Sequence, residues 1–219
     1  MKSPITVAEA IEMIPNGSTI MVGGFMGVGT PELLLDELIQ QSKHDLVLIA
    51  NDTARPAIGL GKLISAKSIM RCIVSHIGTN PETQQQMIKQ QLEVELSPQG
   101  TLAERIRSGG YGLGGVLTPT GVGTLAAEGK RIIEIDGELF LLERPLKADF
   151  ALIKAHQSDY YGNLQYRLTA QNFNPLMAMA ATTVIAEVDE LLPVGCIPPD
   201  QVHTPGTLID HIVSRGVFS

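Results

Sequence analysis

Apolar residues along this chain fall into short runs that alternate with stretches of helical spacing. The runs suited to buried strands cover residues 18–23, 45–50, 69–74, 92–96, 149–154 and 182–188. The first helical stretch begins with a Thr6–Glu9 capping box and runs through Ile14, and a later one begins at Asn174-Pro175. Strands that alternate with helices are typical of a parallel sheet covered on both faces. The pattern predicts an α/β fold, a largely parallel open sheet flanked by helices, in one domain over residues 1–219.

Residues 131–142 depart from this pattern. Two apolar segments, RIIEI and ELFLL, are separated by Asp136-Gly137, a pair that favours a type I′ turn. The stretch therefore predicts a β-hairpin, which forms either a flap or an antiparallel edge of the sheet.

The segment NGSTIMVGGFMGVGTP, residues 16–31, joins a short apolar run to a marked helix start. Thr30 and Pro31 have the order of an N-cap and a first helical proline. Four glycines before them allow main-chain N–H groups to approach a ligand closely, and a helix N-terminus attracts anions. The order G-x-x-G-x-G from Gly24 differs from the dinucleotide motif, and no GK[ST] follows. The segment predicts a ligand cradle; a tight turn with only a packing role is the alternative.

Polar residues follow two of the predicted strands, at the edge where ligands lie in open α/β sheets. Asn51 and Asp52 come directly after the second strand, and they either face a ligand or cap loop N–H groups. Gln99 and Gly100 come shortly after the fourth strand, and the Gln99 amide can donate to a carboxylate or carbonyl oxygen. A second glycine cluster, residues 109–124, predicts a long loop close to the same site.

Composition narrows the class of protein. With 219 residues, 44% of them hydrophobic, the chain can form one sizeable core. A net charge of −7 argues against nucleic-acid binding, and no apolar run approaches the ~20 residues that span a membrane. The first residues lack the apolar core of a signal peptide, so we expect a cytoplasmic protein. The two cysteines, Cys72 and Cys196, indicate neither a disulfide framework nor a zinc site.

An Asn-Gly pair, a short apolar run and then GGF-x-x-x-G-x-P together resemble the first-subunit signature of the family I coenzyme A transferases. The resemblance continues in order through LIANDTA, SHIGTNPET, ELSPQGTLAERIRSGG, TPTGVGT, LLERPLKADFALIKA and QNFNPLMAMAA. It is greatest to the α-subunits of the bacterial acetate or butyrate–acetoacetate type, within the 3-oxoacid group. The resemblance implies transfer of CoA between a short-chain acyl-CoA and a short-chain fatty acid or 3-oxoacid.

The resemblance also implies roles for individual residues. It implies CoA binding by Gly24, Phe25, Met26, Gly27, Val28, Gly29 and Thr30. It implies a substrate pocket with Asn51 near the acyl group and Gln99 and Gly100 near the acid. The glycine cluster at 109–124 is then expected to line the acyl pocket or to approach a partner.

The nucleophile is expected outside this chain. In the family, a glutamate within Ser-Glu-Asn-Gly attacks the acyl-CoA thioester, and this sequence has no such motif. The resemblance therefore implies no catalytic residue here, a β-subunit that carries the glutamate, and a ping-pong reaction through a glutamyl-CoA thioester. An α2β2 assembly is expected. CoA is a substrate in this scheme, and no cofactor or metal is expected.

Three alternatives remain open. In the first, an internal glutamate is the nucleophile: Glu82 at a helix start, Glu104 in a capping box with Thr101, or Glu143 at the end of an apolar run. In the second, the chain is a single-chain enzyme similar to sugar-phosphate isomerases. In the third, it is a ligand-binding subunit without catalysis.

Overall fold

The computed structural model describes residues 1–214, so residues 215–219 of the predicted domain lie outside the described part of the chain. The helices, numbered along the chain, are α1 (Val7–Glu12), α2 (Glu32–Gln40), α3 (Gly61–Ser65), α4 (Pro81–Ile88), α5 (Gln99–Gly110) and α6 (Asn174–Met179). The strands are β1 (Thr19–Val22), β2 (Leu46–Ile49), β3 (Ile69–Val74), β4 (Glu93–Leu96), β5 (Val116–Thr118), β6 (Arg131–Ile135), β7 (Glu138–Glu143), β8 (Ala148–Asp159), β9 (Leu164–Gln165), β10 (Ala181–Leu192) and β11 (His211–Ser214). Short 3₁₀ turns cover Leu125–Ala127, Leu168–Gln171, Pro199–Gln201 and Gly206–Leu208.

Within residues 1–214 the main sheet has eight strands, ordered β11-β10-β8-β1-β2-β3-β4, with β9 beside β8. Every pair along that order is parallel, whereas β9 pairs antiparallel with β8. The predicted α/β class, with a largely parallel open sheet flanked by helices, is confirmed.

Helices cover both faces of the main sheet. Because successive residues of a strand point to opposite faces, one strand contributes side chains to two cores. Ile20 and Val22 of β1 lie in one core with side chains from α1, α2 and α3, whereas Met21 lies in a second core with α5 and α6. Met177 of α6 is fully buried in the second core. Cys72 lies in the first core, where burial, aided by the charge of nearby Glu93, raises the pKa of its thiol to about 12.

The predicted hairpin at 131–142 is confirmed as β6 and β7. Asp136 and Gly137 have φ of 53° and 83°, as a type I′ turn requires. The hairpin is not an edge of the main sheet. It forms a separate antiparallel sheet with β5, in the order β5-β7-β6.

The prediction of a long loop over 109–124 is wrong in part. Gly109 and Gly110 end helix α5, and Val116–Thr118 form β5. A Cβ at Gly109 would lie 1.9 Å from the Leu146 carbonyl oxygen, so close packing of the helix against the chain requires this glycine.

Two predicted helix starts are also wrong. Helix α5 begins at Gln99, so Thr101 lies inside its first turn and forms no capping box with Glu104. Helix α2 begins at Glu32 with Pro31 as its N-cap, so Thr30 is not the N-cap. In both cases a proline is the N-cap, one position after Thr30 in α2 and three positions before Thr101 in α5.

Candidate active site

A glycine loop, residues 23–31, leaves the carboxyl end of β1 where the order of strands reverses. On one side of β1 lies β8 and on the other lies β2. Ligands of open α/β sheets bind in the crevice outside the carboxyl ends of the strands at such a switch point. The loops after β2, β3 and β4 reach the same edge, because these strands run parallel to β1. This carboxyl edge is the candidate site.

A tight turn shapes the tip of the glycine loop. Phe25 and Val28 exchange two main-chain hydrogen bonds, of 3.0 and 2.9 Å, and the residues between them, Met26 and Gly27, have φ of 51° and 90°. The side-chain amide of Asn172 binds both sides of the turn. Its Oδ1 accepts from the Gly24 N–H at 3.1 Å, and its Nδ2 donates to the Val28 carbonyl at 2.9 Å. The loop is therefore held in one shape from two sides.

Asn174 holds the base of the same loop. This side chain is fully buried, and its Nδ2 donates to the carbonyls of Gly29 and Ala170 at 3.0 and 2.8 Å. Its Oδ1 accepts from the Lys154 N–H at 3.0 Å. A Cβ at Gly23 would lie 1.8 Å from this oxygen, so only glycine fits between β1 and the amide.

The N-terminus of α2 has an anionic partner within the chain. Glu187 of β10 is fully buried, and its carboxylate accepts from the N–H groups of Leu33 at 2.9 Å and Leu34 at 3.3 Å. Lys154 Nζ lies 3.2 Å from the same carboxylate. The donors that the sequence suggested for a ligand anion at this helix end thus serve Glu187.

Other parts of the glycine loop face outward. The N–H groups of Gly27 and Gly29 form no hydrogen bond within residues 1–214. The side chains of Phe25 and Val28 are 44% and 49% exposed, whereas Thr30 is buried behind the loop. Free N–H donors beside exposed apolar side chains suit a ligand that has both polar and apolar parts.

A chain of side-chain hydrogen bonds joins the loops that follow β1, β2 and β4. Asp52 is 2% exposed, and its carboxylate accepts from Asn51 Nδ2 at 2.6 Å and from the N–H groups of Met26 and Ala54 at 2.9 and 2.7 Å. Asn51 Oδ1 in turn accepts from Gln99 Nε2 at 2.7 Å. The structure therefore brings the predicted residues Met26, Asn51 and Gln99 together, with Asp52 as the link.

The first turn of helix α5, which begins at Gln99, has no side-chain cap. The N–H groups of Gln99, Gly100 and Thr101 form no hydrogen bond in the described part of the chain, and the Ser97 and Thr101 hydroxyls are buried without a partner there. Gly100 is exposed, with no neighbouring atom within 4 Å of an added Cβ. A cavity of about 590 Å³ opens against this turn and against β5. Such a helix end favours a carboxylate or a polarised carbonyl oxygen.

The three internal nucleophile candidates are each held by a neighbour. Glu82 accepts from the Ser65 hydroxyl, Glu104 pairs with Arg107, and Glu143 lies 2.6 Å from Lys130 Nζ. Glu143 is 2% exposed, and Glu104 lines the cavity beside α5. These pairings favour structural roles for all three.

Sequence reasoning missed the residues that shape the site from the far half of the chain. Asn172, Asn174 and Glu187 were not among the candidates. In the near half of the chain, Ser75 was also missed; its hydroxyl donates to the Asn51 main-chain carbonyl at 2.7 Å. One signal was available: two asparagines flank a phenylalanine in NFNP, a spacing that suits amides binding two turns of one loop. Glu187 lies inside an apolar strand run, where a carboxylate indicates a buried partner.

The parallel sheet and its polar carboxyl edge define an α/β protein with a switch-point ligand site. The chain belongs to the coenzyme A transferase family, whose sequence pattern matches residues 5–215. It is 54% identical over 209 residues to the acetate CoA-transferase subunit alpha of Escherichia coli K12, with 95% of each chain covered. It is 52% identical over 200 residues to the acetoacetyl-CoA:acetate/butyrate CoA transferase alpha subunit of Clostridium acetobutylicum, covering 91% of this chain and 92% of that one. The predicted family and subunit type are confirmed.

Solved structures share the fold. The acyl-CoA transferase YdiF of E. coli O157:H7, in a thioester complex with CoA, matches with a TM-score of 0.88 at 20% identity; the match covers 100% of this chain and 48% of that one. This chain thus spans about half the length of YdiF. Glutaconate coenzyme A-transferase of Acidaminococcus fermentans matches with a TM-score of 0.83 at 19% identity, over 96% of this chain and 74% of that one. Within residues 1–214, no helix has the length and apolar character needed to cross a membrane.

Proposed function

We propose that this chain is the α-subunit of a heteromeric enzyme that moves CoA between a short-chain acyl-CoA and a short-chain fatty acid or 3-oxoacid, such as acetate, butyrate or acetoacetate. The observation that carries the proposal is the Asn51–Gln99 pair, held at the carboxyl edge beside the uncapped first turn of α5. The names of the two relatives, which act on acetate and on acetoacetyl-CoA with acetate or butyrate, support the substrate class.

Asn51 and Gln99 supply the donors for the acid. One N–H of each amide is committed within the chain, to Asp52 and Asn51 respectively, which leaves the second N–H of each for a substrate oxygen. The Gly100 N–H adds a third donor at the positive end of α5. Because Asn51 is 2% exposed, its donor acts in a low local dielectric, where a polar contact is stronger than in water.

The glycine loop contacts CoA in this proposal. The residues of the loop proposed for CoA binding are Gly24, Phe25, Met26, Gly27, Val28, Gly29 and Thr30. The free N–H groups of Gly27 and Gly29 suit the amide oxygens of the pantetheine arm, and the exposed side chains of Phe25 and Val28 suit its apolar atoms.

The nucleophile in the proposal is a glutamate of a β-subunit. Its carboxylate attacks the acyl-CoA carbonyl and releases CoA thiolate, which leaves an acyl-glutamyl anhydride. The thiolate then attacks the glutamyl carbonyl and releases the first acid, which leaves a glutamyl-CoA thioester. A second carboxylate reverses both steps, so the kinetics are ping-pong. CoA is a substrate in this scheme, the assembly is α2β2, and the protein works in the cytoplasm without a cofactor.

The deciding experiment measures exchange of labelled acetate into acetyl-CoA. It compares this chain alone with the chain co-expressed with the product of the adjacent reading frame. Activity in the co-expressed sample alone supports the proposal. Activity of the isolated chain would instead favour an internal glutamate, and a lack of activity in both samples would favour the isomerase-like or ligand-binding alternatives.

A substitution tests the role of Gln99. We expect Gln99→Ala to raise KM for the acid at least about tenfold, the equivalent of one good hydrogen bond, while Tm stays near that of the wild type. Gln85→Ala, at an exposed position of α4, is the matched control. Equal losses of activity and stability in Gln99→Ala would refute the assignment.

A further inference from the structure

A second cavity, the basic pocket, lies where β6 and β7 approach α5. It has a volume of about 290 Å³ and is lined by Arg105, Gly129, Lys130, Arg131, Leu142, Glu143 and Arg144. Four of these residues are cationic and one is anionic, in a chain whose net charge is −7. A concentration of positive charge against the sign of the whole chain indicates an anionic ligand. We infer that the basic pocket binds a phosphate or diphosphate group.

Two of the four cations form the frame of the pocket. Glu143 is buried between Lys130 Nζ, at 2.6 Å, and Arg105 Nε, at 3.9 Å. Arg105 also pairs with Glu95 at 2.7 Å, so the frame is anchored to β4. Burial opposes the ionisation of Glu95, but the hydrogen bonds and charges of Arg105 and Arg71 outweigh it and lower the pKa of Glu95. The two arginines therefore favour the ionised form of Glu95, and this ion pair fixes the position of Arg105 in the frame.

The other two cations are available to a ligand. Arg131 and Arg144 are exposed, and neither side chain forms an ion pair or hydrogen bond within residues 1–214. The main chain at Arg144 is fixed, because Arg105 Nε donates to the Arg144 carbonyl at 3.1 Å. Two guanidinium forks on a fixed backbone match the geometry of phosphate oxygens, which accept paired hydrogen bonds.

The position of the pocket suggests one source for the phosphate. Arg105 follows Gln99 by six residues on α5, or about 9 Å along the helix axis. CoA carries its phosphates at the far end of the pantetheine arm from its thiol, so one CoA molecule with its thioester near Gln99 can extend past α5. This source rests on the proposed function. A free phosphorylated ligand is the other source of the same chemistry.

Calorimetric titration of inorganic pyrophosphate into the full-length chain tests the site. We expect saturable binding that weakens as salt is added, and at least about tenfold lower affinity in the double variant Arg131→Ala/Arg144→Ala. The control double variant Lys89→Ala/Arg107→Ala removes the same charge from exposed positions outside the pocket and should bind like the wild type. Circular dichroism checks that both variants fold. Equal affinities in the two double variants, or binding without saturation in the wild type, would overturn the inference.

Steady-state kinetics of the co-expressed enzyme then identify the source. If the phosphate belongs to CoA, the Arg131→Ala/Arg144→Ala variant has a higher KM for acetyl-CoA. Its kinetics with the acetyl thioester of N-acetylcysteamine, which has no nucleotide, stay unchanged. An unchanged KM for acetyl-CoA together with lost pyrophosphate binding assigns the site to a free phosphorylated ligand. An inactive wild-type enzyme contradicts the proposed function and leaves the pyrophosphate titration as the test of the site.

Discussion

Asp52→Asn is the substitution whose effect the structure defines most closely. The new side chain has the same shape but replaces one acceptor oxygen with a donor NH₂ group. The Oδ2 of Asp52 serves two donors, Met26 N–H and Asn51 Nδ2, and the Oδ1 serves Ala54 N–H. The single oxygen of the substituted side chain takes the position with two donors, so the Ala54 N–H then faces the new NH₂ group without an acceptor.

The magnitude follows from burial. A hydrogen bond to a charged acceptor contributes about 1.5–3 kcal/mol, and a buried donor left unsatisfied costs about 1–3 kcal/mol. These two effects overlap, because both concern the Ala54 N–H, so we expect Asp52→Asn to lower the free energy of unfolding by about 3 kcal/mol. In a chain of this size that loss lowers Tm by about 6–12 °C.

Urea unfolding followed by circular dichroism, with Tm from calorimetry, measures this loss. The matched control is Asp149→Asn, because Asp149 is exposed and accepts a single N–H, from Thr19 at 2.8 Å. An asparagine oxygen can accept that bond equally well, so the control should change stability by less than about 1 kcal/mol. The reasoning is refuted if the Tm values of the two variants differ by less than about 2 °C.

Three other predictions concern packing, charge and thiol reactivity. Gly23→Ala should lower the free energy of unfolding by about 3 kcal/mol through overpacking, whereas Gly100→Ala, with open space around it, should stay within about 1 kcal/mol of the wild type in thermal unfolding. Because folding lowers the pKa of Glu95, its ionised form stabilises the fold above its ordinary pKa of 4.5; this contribution is lost as pH falls through the folded pKa. Urea unfolding from pH 7 to pH 3 should therefore show the stability difference between the wild type and Glu95→Gln closing on acidification. Native protein treated with iodoacetamide at pH 8 should be labelled at exposed Cys196 and not at Cys72, as read by peptide mass spectrometry.

Each of these has a definite contrary result. If Gly23→Ala and Gly100→Ala have the same Tm, the Asn174 amide beside Gly23 moves aside freely. A stability difference for Glu95→Gln that stays constant down to pH 3 would mean that its arginine partners do not favour the ionised form. Labelling of Cys72 at the rate of Cys196 would show that the first core opens locally under native conditions.

Local patterns predicted six strands of the main sheet, but they predicted neither β9 and β11 nor the full length of every strand. The apolar runs at 18–23 and 69–74 correspond to β1 and β3, because each of these strands contributes side chains to both cores. The predicted run at 149–154 corresponds to β8. This strand extends to Asp159, because the polar residues that follow the run pair with β10 and β9. Strand β5 was missed because it lies in a glycine cluster and is defined by its pairing with β7, in which Val116 lies opposite Glu143.

The contacts of the candidate site were likewise predictable only in part. That Asn51 and Gln99 meet follows from the shared edge of parallel strands, which the sequence pattern predicts. The contact of Glu187 with α2 could not be predicted, because it joins residues 154 positions apart and depends on the order of β10, β8 and β1 in the sheet. Sequence patterns define what each strand end carries, and only the tertiary order defines which ends meet.

Glu187 at the N-terminus of α2 has a thermodynamic consequence. A helix N-terminus that binds a free phosphate is stabilised by that ligand, and the stabilisation grows with the ligand concentration. Here the counter-charge is covalently part of the chain, so its effective concentration is fixed once β10 joins the sheet. The start of α2, and with it the base of the glycine loop, is therefore set during folding and needs no bound anion at this helix end.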